Sequence, residues 1–309
     1  MDTVFLFPGQ GSQYCGMGKD LYDNFHIAKE IFNEADDVLN MKISDICFEG
    51  DEEKLKQTQY TQPAIAVVSI ACLEVLKSET DIIPKFVAGH SLGEYSALYS
   101  AGVLTFEQTM KFLRERGRLM SSSKDGGMAA VIGGDESLIQ QAVNEVKNIG
   151  YVGVANYNSQ AQTVITGDKK ALDRVGEILT EKGVKRFIPL AVSGAFHSEM
   201  MRDISVDFKN YIDNFEISDA KIPVITNVDA EFETKKENFK EKMVKQLYTS
   251  VYWYQSILKM NDNGIKRYIE LGPGRVLTGL NKKILPEAEA FNLGNLETIT
   301  NFINNLNKE

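Results

Sequence analysis

The stretch FVAGHSLGEYSALYSA at 86–101 joins a short apolar run to a helical pattern through a serine held between two glycines. An apolar run of that length, closed by glycine and followed by helix-period residues, reads as a buried strand turning directly into a helix. That junction constrains the whole chain, because strand followed by helix is the repeating unit of a parallel sheet. The rest of the sequence keeps the same rhythm. Strands are predicted over 3–7, 85–88, 222–226 and 267–271, and helices over 26–39, 63–76, 92–101 and 106–120, with Pro63 suited to a first helical turn.

Gly126 and Gly127 interrupt that rhythm, and a unit with its own order follows. It reads as a strand at 128–132, a helix at 136–146, strands at 152–156 and 162–166, a helix at 170–182 and a strand at 184–190. The order β-α-β-β-α-β is the ferredoxin-like split βαβ pattern. The predicted class is therefore α/β, with a mostly parallel main sheet from 1–125 and 193–309 and an inserted ferredoxin-like βαββαβ subdomain over 126–192. The asparagine-rich end, 301–307, reads as a frayed tail.

Composition narrows the class of function. With 43% hydrophobic and 25% charged residues the chain has the usage of a soluble globular protein, and no uninterrupted apolar stretch reads as a bilayer span. Residues 3–7 have no basic flank before them, so no signal peptide is read. Cys15, Cys47 and Cys72 are odd in number and widely spaced, with no C-x-x-C or H-E-x-x-H, which points to the cytoplasm and to no metal site. A net charge of −9 argues against nucleic acid as a partner. An anionic ligand must then meet a local basic patch, and Lys182, Lys185, Arg186, Arg275, Lys282 and Lys283 are the candidates, unless they are simply solvated surface.

G-x-S-x-G is a weak motif alone, since roughly one chain in ten of this length carries it by chance. Its setting between strand and helix is what a nucleophile elbow requires. Glycines at 89 and 93 leave room for the turn, and a helix N-terminus directs N–H groups at charge developing near Ser91. The competing reading is a serine that merely caps the helix. A nucleophilic serine needs a base, and the chain has three histidines. His90 adjoins Ser91 in the turn and His26 lies in a polar helical stretch, which leaves His197 at the entry to a helix with an apolar stripe of Met201, Ile204, Phe208 and Tyr211. Otherwise His197 is a packed core residue. Asp135, Asp168 and Asp173 look like helix caps, so no third triad acid is visible, and a main-chain carbonyl is the alternative partner for the histidine.

FPGQGSQYCGMG at 7–18 follows the first strand but fails as a dinucleotide loop, because Tyr14 stands where the third glycine belongs. Its turn can instead aim the N–H of Gln10 at an oxyanion, with the N–H of Leu92 as the second donor. On the helix at 106–120, Arg116 falls nearer the buried face than Arg114 or Arg118. A buried guanidinium needs an anion, either an internal carboxylate or the carboxylate of a substrate held bidentately.

Taken together, FPGQGSQ at 7–13, GHSLGEY at 89–95, Arg116–Gly117, GAFHS at 194–198, QLY at 246–248 and LGPGRVLTGL at 271–280 resemble the malonyl-CoA:acyl-carrier-protein transacylases of bacterial fatty-acid synthesis. The resemblance covers nearly the whole chain. It implies a hydrolase-like α/β main domain with a ferredoxin-like insert, Ser91 as nucleophile, His197 as base, Arg116 on the malonyl carboxylate, and Gln10 and Leu92 as oxyanion hole. It further implies that a main-chain carbonyl at Gln246 orients the histidine. The implied activity is ping-pong transfer of malonyl from malonyl-CoA, a substrate, to the phosphopantetheine thiol of an acidic acyl carrier protein, by a cytoplasmic monomer that needs no cofactor. GAF before His197 resembles malonyl-selective members, with Phe196 crowding a branching methyl. Three alternatives stay open from sequence: a serine thioesterase or hydrolase with the same pair, an idle carrier-docking module, and a malonyl loader of polyketide carriers.

Overall fold

The computed structural model describes residues 2–123 and 126–306. Its larger sheet has six strands, β1 (Thr3–Phe7), β2 (Phe86–Gly89), β7 (Val224–Ile225), β8 (Phe232–Glu233), β9 (Arg267–Leu271) and β10 (Glu289–Leu293), in the order β10-β9-β1-β2-β7-β8. All neighbours run parallel except the β7/β8 pair. The central strands β1 and β2 are apolar but for Thr3, and period-2 geometry divides their side chains between two layers. Phe5 and Phe7 pack on one side with the core helices, while Val4 and Leu6 pack on the other with Trp253, Ile257 and Leu277.

The second sheet is antiparallel, in the order β4 (Val152–Ser159), β5 (Gln162–Gly167), β3 (Gly127–Ile132), β6 (Arg186–Pro189). Helices Glu136–Glu145 and Lys169–Glu181 cover one face through Ala129, Val131 and Ile165. Met128, Ala130 and Val164 point from the opposite face into the core of the larger sheet. Main-chain bonds join the two units: Val251 N–H donates to Ala155 C=O at 2.8 Å, and Tyr157 N–H donates to Val251 C=O at 2.9 Å.

Several elements differ from the sequence reading for physical reasons. The strand expected over 222–226 shrinks to Val224–Ile225, because Pro223 has no N–H to give the ladder. Strand β10 was not read at all; it is an edge strand with largely half-buried side chains. Of the end expected to fray, 301–306 instead belong to a helix, Leu296–Leu306, because Ile299, Phe302, Ile303 and Leu306 recur at helical spacing and dock on the core, and Asn307 lies outside the described residues. The helix read over 63–76 runs Thr58–Glu79, long and apolar enough to cross a membrane by composition alone, yet 83% of its most apolar window is buried inside the fold.

Candidate active site

Ser91 sits where β2 turns into the Gly93–Ser100 helix, with φ of 52°. That left-handed backbone is costly for serine and persists because the surroundings hold it. The turn closes too tightly for side chains on either flank: a Cβ on Gly89 would lie 2.0 Å from Gly93 C, and one on Gly93 would lie 2.1 Å from Phe7 O. Asn227 clamps the elbow from behind. Its Oδ1 accepts Ser91 N–H at 2.8 Å and its Nδ2 donates to Gly89 C=O at 2.7 Å.

His197 also has a positive φ, 57°, and its ring reaches the serine, with Nε2 2.8 Å from Ser91 Oγ. Nδ1 lies 2.8 Å from Gln246 C=O, so a proton on Nδ1 leaves Nε2 as the acceptor facing the hydroxyl. Burial, reinforced by the positive charge of Arg116, pushes His197 down to about 3, so the ring is neutral at ordinary pH. The ring precedes a 3-10 turn, Glu199–Met201, capped by Ser198, that leads into the helix Arg202–Ile212. Among the described residues no carboxylate takes the third place. Asp135 caps a helix through Leu138 N–H, Asp168 accepts Tyr151 N–H, and Asp173 lies inside the Lys169–Glu181 helix rather than at its cap.

Arg116 is 1% exposed and, among the described residues, forms no ion pair; its acceptors are neutral. Nη1 donates to Gln62 Oε1 at 2.7 Å, and Nη2 donates to Gln246 Oε1 and Ser91 Oγ, each at 3.1 Å. Its Nε is buried without a hydrogen-bond partner among the described residues. An acceptor that met it would relieve a penalty of about 1–3 kcal/mol. Arg114 and Arg118, by contrast, bond Leu39 C=O and Glu115.

Gln10, Ser91, Leu92, Arg116 and His197 share one cavity of about 220 Å³, roofed by Met128, Ala130 and Val164 of the small sheet. The N–H groups of Gln10 and Leu92 make no hydrogen bond within the described chain. Phe196, Leu277 and Leu280 add apolar wall. His90, set aside as a base, lines the same cavity with Nε2 2.8 Å from Asn158 Oδ1, tying elbow to small sheet. His26 is exposed beside Glu30. Sequence reasoning missed Gln62, Asn227 and Glu94, polar residues that only burial marks. Among the described residues no cluster of His, Cys, Asp and Glu could hold a metal, and Cys15, Cys47 and Cys72 are unbridged.

The family model described as "Acyl transferase domain" matches residues 4–300. The malonyl CoA-acyl carrier protein transacylase of Bacillus subtilis (strain 168) is 45% identical over 99% of this chain and 98% of that protein. The protein of the same name from Staphylococcus aureus (strain MRSA252) is 43% identical over 96% of this chain and 97% of its own length. Among solved structures, a malonyl-transacylase in complex with a type II PKS acyl-carrier protein superposes with a TM-score of 0.96 at 36% identity, covering 99% of this chain and 100% of that one. The Streptococcus pneumoniae enzyme gives 0.93 at 38% identity, over 98% and 100%. With sequence, fold and cavity in agreement, the chain belongs to the acyl transferase family, in the branch of the malonyl CoA-acyl carrier protein transacylases.

Proposed function

We propose that this chain moves a malonyl group from malonyl-CoA to the phosphopantetheine thiol of an acyl carrier protein through a malonyl-serine intermediate, for fatty-acid synthesis. The observation that carries the reading is the placement of Ser91 Oγ between His197 Nε2 and Arg116 Nη2, at 2.8 and 3.1 Å. A neutral base and a carboxylate clamp thus meet at one nucleophile. As thioester carbonyl and Ser91 approach, His197 takes the hydroxyl proton, Oγ bonds the carbonyl carbon, and the N–H groups of Gln10 and Leu92 receive the oxyanion. Collapse breaks the C–S bond, and His197 returns the proton to the CoA sulfur. The carrier thiol then gives its proton to His197 and attacks the ester, and Ser91 leaves with that proton. The Gln246 carbonyl on Nδ1 stabilises the imidazolium formed in each half-reaction.

Arg116 supplies selectivity. A guanidinium confined among neutral acceptors favours an acyl group with a free carboxylate, and Phe196 beside His197 leaves little room for a methyl branch. The reading needs no bound cofactor or metal, CoA being substrate, and the chain acts as a cytoplasmic monomer, consistent with a site drawn from one chain. Carrier protein docks beside the cavity mouth, where exposed Lys282 and Lys283 end the Val276–Ile284 helix whose first turn lines the cavity. Intact-mass analysis after brief exposure to malonyl-CoA tests the proposal. One malonyl adduct on wild type, absent from Ser91→Ala and discharged by carrier protein, is the expected result. An adduct lost to water as fast without carrier makes the enzyme a thioesterase, and no adduct on wild type refutes acyl transfer through Ser91.

A further inference from the structure

Glu94 stands in the first turn of the helix that Ser91 introduces, with its side chain 1% exposed and outside the cavity wall. Its Oε2 accepts Asn227 N–H at 2.6 Å. From Asn227 the network fans out. Its Oδ1 takes Ser91 N–H at 2.8 Å and Gln246 Nε2 at 3.2 Å, and the same Gln246 Nε2 donates to Ser91 C=O at 3.1 Å. Gln246 in turn holds Arg116 through Oε1 and His197 through its carbonyl. The serine, the base and the guanidinium are therefore all suspended from one peptide whose N–H meets Glu94.

We propose that Glu94 is a positioning residue for the acylation step: its ionised carboxylate holds Asn227, and through it the Ser91 elbow and Gln246, in the geometry that reacts. A charged acceptor makes a shorter and stronger bond than a neutral one, so the brace slackens when Glu94 is protonated. Burial raises Glu94 to about 7, opposed by the bonds from Asn227 and Gln246 and by the charge of Arg116, and reinforced by Asp229. Tyr95, next to it on the helix, is pushed well above the usual tyrosine range by burial and stays neutral there. Asp229 is itself paired with Lys242 at 2.9 Å.

The test is the rate of malonyl-serine formation, by rapid quench from about pH 5 to about pH 9, in wild type, Glu94→Gln and Asn227→Ala. Wild type is expected to slow on an acid limb centred near the about 7 of Glu94, since His197, at about 3, supplies none there. Glu94→Gln should lose the limb and run about tenfold below the wild-type plateau, while melting higher than wild type at alkaline pH because a buried charge is gone. A residue needed only for folding does not become more stable and slower together. Asn227→Ala keeps the carboxylate and the main-chain N–H that meets it but removes the side-chain amide that carries the brace on to Ser91, Gly89 and Gln246, so it should lose the limb too and decides the question if Glu94→Gln does not fold. A limb that survives in either variant, or wild-type rates in both, overturns the proposal. The inference rests on Ser91 as nucleophile, and the failures are separable: no adduct at any pH sinks that reading, whereas an adduct formed without regard to Glu94 or Asn227 sinks only this one.

Discussion

At Arg116 a buried cation is offered, among the described residues, only neutral acceptors, Gln62, Gln246 and Ser91, although charges of that kind are normally paired when taken out of water. The sequence left open an internal carboxylate on this arginine; among the described residues the side chain bonds none, which leaves a carboxylate brought by substrate as its anion. Arg116→Ala is accordingly expected to lower malonyl transfer by a factor of ~10² while acetyl transfer holds or rises, a change read from kcat/KM for the two thioesters. Equal losses for both would deny Arg116 a selective role. His197 makes a second demand at this scale. Unfolded, a histidine binds its proton near pH 6.5, but in the fold it is pushed down to about 3. The unfolded state thus binds a proton that the native state refuses, and stability falls as pH drops below 6.5, by roughly 1.4 kcal/mol per pH unit. Glu94 works in the opposite sense, since its raised value makes the native state bind the extra proton between the unfolded carboxyl range and about 7. Where both windows overlap the slopes offset, and the loss should show in full only below about pH 4.5. Denaturant titrations of wild type and His197→Gln should therefore part company as pH falls, with wild type losing stability faster; parallel curves would contradict the depressed histidine.

The turn from β2 into the Gly93–Ser100 helix is the element on which the site depends, and its tolerance can be stated. With Gly93 C and O each 2.0 Å from a Cβ at position 89, backbone rather than a flexible side chain blocks the substitution. Gly89→Ala is expected to cost at least about 1–3 kcal/mol in denaturant titration and to abolish malonyl-serine formation, because the strand and helix must separate. A variant acylated at the wild-type rate would mean that the elbow is softer than its packing indicates. The same element explains why so much was legible from sequence. A glycine-flanked serine between a strand pattern and a helix pattern has few ways to fold, and Ser91 lies there with φ of 52°. The helical phase of 106–120 likewise put Arg116 on the buried face, where it is. Gln246 entered through likeness alone, since a main-chain carbonyl leaves no trace in residue type. Gln62, Asn227 and Glu94 were illegible for a related reason: a buried amide or carboxylate looks like any surface residue until tertiary contacts surround it. Strand β8, two residues long, falls below the length at which periodicity speaks, and β10, as long as β1 and β9, is an edge strand whose largely half-buried side chains give no clear apolar run.

Across the whole molecule the net charge of −9 would oppose approach to the acidic carrier protein proposed as partner, so that proposal calls for local cations near the cavity mouth. The structure separates the candidates. Lys182 is engaged with Glu145 at 2.7 Å, whereas Lys282 and Lys283 are exposed in the last turn of a helix whose Leu277 and Leu280 line the cavity. Lys185 and Arg186 lie on or next to β6, which continues to Leu190 and Val192 on the cavity wall. Exposed Leu190 and Val276 add apolar surface where these two margins approach the opening. Main-chain bonds from Val251 to β4 fix the small sheet against the large one, so both margins are presented together. A double substitution, Lys282→Glu with Lys283→Glu, is therefore expected to raise the KM for carrier protein about tenfold at low salt and less at high salt, with the rate of Ser91 malonylation unchanged. The same change made at Lys182 should have a smaller effect, because that ammonium is already committed to Glu145. If neither alters carrier KM while both leave acylation intact, the carrier approaches from another face, and the two half-reactions draw on separate surfaces of the protein.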